Sequence, residues 1–151
     1  MSTTTELIDK IVQYPKNEIK NAIDASVNGI EISLTAAQII GMNAAPLEIV
    51  AGVAGVAYEV TDFTAIFDYG TTQFTGGGDA FIEDSASTAR TGFYDDTVIV
   101  AAADSVTKVL GNAGTLLTGS GLYITNATAA FATGDSVLRI KLNYRTHVTG
   151  L

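Results

Sequence analysis

From Leu138 onward the chain alternates without a break. Leu138, Ile140, Leu142 and Tyr144 fall on one side of an extended segment, and Arg139, Lys141, Asn143 and Arg145 on the other. A period of two predicts a strand with one face in a core and the other facing water or a partner. The preceding stretch, with Leu122, Ile124, Ala127 and Phe131, reads as a strand returning across a Gly134-Asp135 turn, so the chain is expected to end in a β-hairpin. Shorter strands are predicted upstream, at 30–34, 47–50, 80–83, 97–101, 105–109, 115–117 and 122–124, each set off by turn residues. The run 56–69 is apolar on both faces, the pattern of a central strand, and a Thr-rich strand lies between Tyr69-Gly70 and Gly76-Gly77-Gly78. Thr35 is placed to cap a single helical turn that stops at Gly41.

Many short strands at this spacing predict a mainly β protein, an antiparallel β-sandwich or jelly-roll over residues 29–151, rather than alternating β and α units. Residues 1–28 differ in period. Thr5 can cap a helix from Glu6 whose Leu7, Ile8, Ile11 and Val12 share one face. Pro15 interrupts it, and a second piece over 16–25 repeats the pattern with Ile19, Ala22 and Ile23. This is an amphipathic helical arm with an apolar stripe to bury, against its own domain or another subunit.

Composition changes the picture in two ways. Hydrophobic residues make up 47% and charged ones only 16%, against about 25% in typical soluble domains. The surface is therefore clothed in Thr, Ser, Asn and Gly, as in many-turned β proteins and in chains partly covered in an assembly. The net charge of −8 disfavours binding nucleic acid through a broad basic patch. Lys and Arg are absent from 21–89, where acids are frequent, whereas after Asp135 only Arg139, Lys141 and Arg145 carry charge besides His147. The outward basic row and the acidic middle can pair within one chain or between identical chains. No stretch has the length of a membrane span, and the N-terminus has no signal-like apolar run, so synthesis in a cytoplasm is expected.

Few residues of the chain offer chemistry. Cysteine is absent, and the single His147 lies on the outward phase of the last strand. Acids at Asp79, Glu83, Asp84, Asp95 and Asp96 lack the spacing of a calcium loop and read as solvated turn acids. Gly76, Gly77 and Gly78 precede no Lys-Ser or Lys-Thr, and they, like Gly111, Gly114, Gly119 and Gly121, read as turn glycines with positive φ. Ser120 is one position out of register for a nucleophile elbow. Paired carboxylates for sugar hydrolysis meet only in space, and Trp, a common sugar-stacking residue, is absent. The Asn126-Ala127-Thr128 sequon has no secretion signal to give it meaning. The expectation is a non-enzymatic protein without cofactor or metal.

Three segments carry a resemblance: ISLTAAQIIGMNAAPLEIV at 32–50, FDYGTTQFTGGGDAFI at 67–82 and LYITNATAAFATGDSVLRIKLNYR at 122–145. In order and spacing they resemble small tailed-bacteriophage virion proteins of the head-decoration and head-fibre type, over roughly residues 30–147. Where such proteins tend to have Pro-Gly-x-Gly-Lys after the strand at 47–50, this chain has Ala51-Gly52-Val53-Ala54-Gly55. The resemblance implies a β-sandwich or jelly-roll module, usually trimeric, on the outside of a capsid, and no catalysis. The expected partners are the major capsid protein and further copies of the chain. On this reading Leu7, Ile8, Ile11 and Val12 are candidates for anchoring on the capsid, and Arg139, Lys141 and Arg145 for a contact between subunits. The alternative is a receptor- or carbohydrate-binding module of a tail or head fibre, in which Tyr69, Phe74, Phe93 and Tyr94 meet a host-surface glycan.

Overall fold

The computed structural model describes residues 27–91 and 99–150, and over them the chain is an antiparallel β-sandwich. Its elements are β1 (Val27–Leu34), α1 (Ala36–Gly41), β2 (Leu47–Val50), β3 (Val56–Asp68), β4 (Thr75–Gly76), β5 (Ala80–Asp84), β6 (Ser105–Leu110), β7 (Leu122–Asn126), β8 (Phe131–Ala132) and β9 (Val137–Val148). One sheet has the order β1-β9-β3-β6 and the facing one β2-β7-β5, with a small β4-β8 pair beside them. The arm, including Leu7, Ile8, Ile11 and Val12, lies outside the described residues.

The alternation of the last strand holds. Leu138, Ile140 and Leu142 are fully buried, and β9 runs between β1 and β3 with Ile140 opposite Ile32 and Ala65. The predicted hairpin does not form: β7 pairs with β2 and β5 in the other sheet, and Phe131–Ala132 pairs with β4. The Gly134-Asp135 turn instead carries the chain from one sheet to the other. Gly134, at φ 91°, lies so close to the Phe74 ring that a Cβ has no room. The Asp135 carboxylate accepts from the Thr71 and Thr72 amides at 2.8 Å each, tying the turn to the loop after β3. That loop explains a second difference, since only Thr75–Gly76 of the expected Thr-rich strand is extended and paired.

β3 is central as predicted, but its two apolar faces are one face shifted. The register slips between Val60 and Asp62, so the inward phase passes from Tyr58 and Val60 to Phe63, Ala65 and Phe67. Such a bulge inserts Thr61 and transposes the pleat. Its carbonyl accepts from the Gly111 amide at 2.9 Å and its hydroxyl donates to the Asn143 carbonyl at 3.0 Å. The outer face of β3 carries Glu59, Asp62, Thr64, Ile66 and Asp68.

Thr35 caps α1 as expected, with a reciprocal box: its hydroxyl accepts from the Gln38 amide at 3.4 Å and its own amide donates to Gln38 Oε1 at 2.9 Å. Gly41 is not a left-handed stop, because Met42 follows in right-handed geometry and drops fully buried into the core beside Ile39. Of the expected strand at 97–101 the described residues are not extended in a sheet, and 115–117 is loop whose Thr115 carbonyl accepts from Arg90 at 2.8 Å. Beyond β5 the chain reverses at 85–87 and returns along it, the Arg90 amide donating to the Ile82 carbonyl at 2.7 Å. Thr91 then bridges to Gly111, just past β6, and so joins the two sheets along one side.

Candidate functional site

The outer face of the four-stranded sheet carries the charges that the sequence separates. Arg139 on β9 donates to Asp68 on β3 at 2.7 Å and lies 3.9 Å from Glu31 on β1, which also faces Lys141 at 3.6 Å. Arg145 and His147 both meet Glu59, at 3.9 and 2.8 Å. Asp62 takes Lys108 at 3.6 Å and the Asn143 amide at 3.0 Å. The hydrogen bond from Arg139 holds the Asp68 carboxyl below its ordinary value and pushes the guanidinium up. Each candidate subunit contact, Arg139, Lys141 and Arg145, therefore has an acid of its own chain in reach. Exposed pairs of this kind, screened by solvent, add little to stability. At the edges of the same face Val106 and Leu110 are each 69% exposed.

The outer face of β2-β7-β5 is different in kind. Glu48, Tyr123 and Glu83 stand side by side across the three strands. The Tyr123 hydroxyl donates to Glu48 at 2.9 Å, which raises the phenol above its ordinary value. Beside Tyr123 a pocket of about 260 Å³ is lined by Pro46, Glu83, Asp84, Ser85 and Ser87. Glu83 is only 8% exposed, and burial, then the neighbouring Asp84, raises its carboxyl above the usual range.

Asp84 points the other way and is fully engaged. Its carboxylate accepts from Arg90 Nε at 2.8 Å and from Arg90 Nη2, and from the Ala86 and Thr88 amides at 2.9 and 3.1 Å. Burial opposes ionisation here, but the guanidinium and the two amides outweigh it and hold the carboxyl low. The turn is braced further by Ser120, whose hydroxyl accepts from the Ser85 amide at 2.8 Å.

The other residues singled out by sequence separate in space. Phe74 is a core residue, its ring centroid 6.1 Å from that of Phe131 and 6.3 Å from that of Phe67. Tyr69 is half-buried, its hydroxyl donating to the Thr71 carbonyl at 3.0 Å, and Phe93 and Tyr94 lie outside the described residues. The amide of Asn126 is buried and donates to the Gly77 and Ala129 carbonyls, so the sequon is closed in the folded protein. Among the described residues no three of His, Asp and Glu converge as metal ligands. Glu83 escaped the sequence reading because alternation puts it outward with Phe81, where an acid reads as solvated. The returning segment over 88–91, which buries it, leaves no local signal.

No family model matches the chain, and no curated protein matches it. Among solved structures, a chain of the cyanophage Pam1 capsid asymmetric unit aligns with a TM-score of 0.42 and 21% identity, over 80% of this chain and 83% of that one. A likeness at that level carries no functional argument.

Proposed function

We propose that the protein is a structural component of a tailed-phage virion: a β-sandwich that decorates the outer capsid surface as a homotrimer by non-covalent docking on the major capsid protein. One observation carries the reading. The three segments that resemble head-decoration and head-fibre proteins are partners in the fold. The first supplies β2, the third β7 and the second Ala80–Ile82 of β5, so the three lie side by side in the β2-β7-β5 sheet. The second and third also supply β4 and β8, and the first and third meet where β1 pairs with β9. Chance likenesses of common β and turn residues have no reason to be mutual neighbours; the parts of one inherited fold do.

The mechanism assigned is cross-bridging of capsid subunits, without catalysis or cofactor. A protein that binds only the assembled shell stabilises it in proportion to occupancy, and a trimer multiplies weak contacts into avidity. The N-terminal stripe Leu7, Ile8, Ile11 and Val12 is the proposed anchor. The glycan-binding alternative loses Phe74 to the core. Co-sedimentation with assembled capsids of the cognate phage, with and without residues 1–25, tests the assignment, and light scattering gives the subunit number. Saturable binding of a species three times the chain mass, lost on truncation, is expected. Unchanged shell affinity of the truncated chain removes the anchor; a monomer that ignores shells removes the function.

A further inference from the structure

Burying a carboxylate without a partner is costly, and folded proteins almost always supply a donor or a cation. Glu83 has no such partner: the residue is 92% removed from solvent, its carboxylate oxygens are not sealed off, and among the described residues no hydrogen bond or ion pair reaches them. Among the described residues the cation on the adjoining segment, Arg90, is committed to Asp84 and to the Thr115 carbonyl. Glu48 is on the far side of Tyr123 and has the same sign. What Glu83 does face is the pocket of about 260 Å³.

We propose that this pocket binds an organic cation, the guanidinium or ammonium at the end of an alkyl chain, with the Glu83 carboxylate as its acceptor. The lining fits such a group in three respects. Pro46 and the Tyr123 ring offer apolar surface to a methylene stem, as long cationic side chains require. Ser85 and Ser87 add polar groups beside the carboxylate for the remaining N–H donors. The space is far larger than a bare ion needs, and one unpaired carboxylate cannot provide the six to eight oxygens that calcium takes. A neutral polyol would hydrogen-bond to Glu83 but leave its charge uncompensated. The ligand class includes a Lys or Arg presented by another protein and a free amine alike. Nothing in the inference depends on the capsid reading, and either can fail alone.

The full-length protein, labelled with ¹⁵N, is titrated with N-acetyl-arginine methylamide and N-acetyl-lysine methylamide. N-acetyl-citrulline methylamide, a neutral isostere of the first, and methyl galactoside serve as comparisons. A single shallow contact of this type has a Kd of about 1 mM. Saturating shifts at the amides of Glu83, Ser85 and Tyr123 are expected with the two cations and not with citrulline. Glu83→Gln, which keeps the side-chain shape, should weaken binding at least about tenfold, while Glu48→Gln should change it less than threefold. Citrulline binding as tightly as arginine, or Glu83→Gln leaving the affinity intact, overturns the proposal. So does the absence of shifts with both cations, and so does preference for the galactoside, which would make the pocket a sugar site.

Discussion

Two adjacent carboxyls, Glu83 and Asp84, sit on opposite faces of β5 and titrate in opposite directions. Asp84 is held low, so its contribution to stability is complete above the unfolded carboxylate range and is lost as the pH falls through the folded value. Glu83 is held high; its cost is absent below the unfolded value and sets in as the pH rises through the folded one. Asp84→Asn leaves Arg90 buried without its counter-charge and should cost about 3 to 5 kcal/mol near neutrality, with the gap to the parent narrowing in acid. Glu83→Gln should be more stable than the parent at neutral pH and indistinguishable from it in acid. Urea unfolding followed across the range from about pH 3 to pH 7 checks both signs in one series. Neither role was legible in the sequence, where the pair reads as solvated turn acids. Their burial depends on a chain reversal at 85–87 and on Thr115, which are features of the tertiary fold.

At the scale of elements, legibility followed how local the determining physics is. The cap of α1 is settled within four residues, Thr35 to Gln38, and is therefore legible in the sequence. Thr35→Ala should cost about 1 kcal/mol in chemical denaturation. The alternation of β9 was read correctly because one face is buried along most of its length. The bulge at Thr61 was not, since a slipped phase mimics a strand that is apolar on both sides. Glycines divide in the same way. Gly119 and Gly76–Gly78 have the positive φ their turn setting predicts, but Gly111 and Gly121 do not. Those two are small because backbone passes close by: a Cβ on Gly111 would run into the Val60 carbonyl beside the bulge. Gly111→Ala should therefore destabilise by about 1 to 3 kcal/mol, as backbone cannot yield as a flexible side chain does. Gly41→Ala, in the last position of α1 with open space around it, should be neutral or gain up to about 1 kcal/mol. Thermal unfolding of the two variants separates steric from conformational demand for glycine.

Across the whole molecule, the charge segregation along the chain is resolved by topology. The acids of β1 and β3 lie on either side of the cations of β9, and the outer face becomes a ladder of alternating sign. The sequence showed the two blocks but not their adjacency, because the strand order β1-β9-β3 joins the ends of the chain to its middle. The proposal that Arg139, Lys141 and Arg145 also meet a second subunit makes a prediction that an intrachain ladder does not. Arg139→Asp leaves three acids facing one another and should lower both stability and assembly. Adding Asp68→Arg restores an ion pair of reversed polarity within the chain, so unfolding should return towards the parental midpoint. A neighbouring subunit, however, still meets the wrong sign at position 139, and light scattering should find the double variant dissociated. If the swap restores the oligomer together with the stability, the row is a ladder within one chain. The contact between subunits is then to be sought at the exposed apolar edge residues Val106 and Leu110.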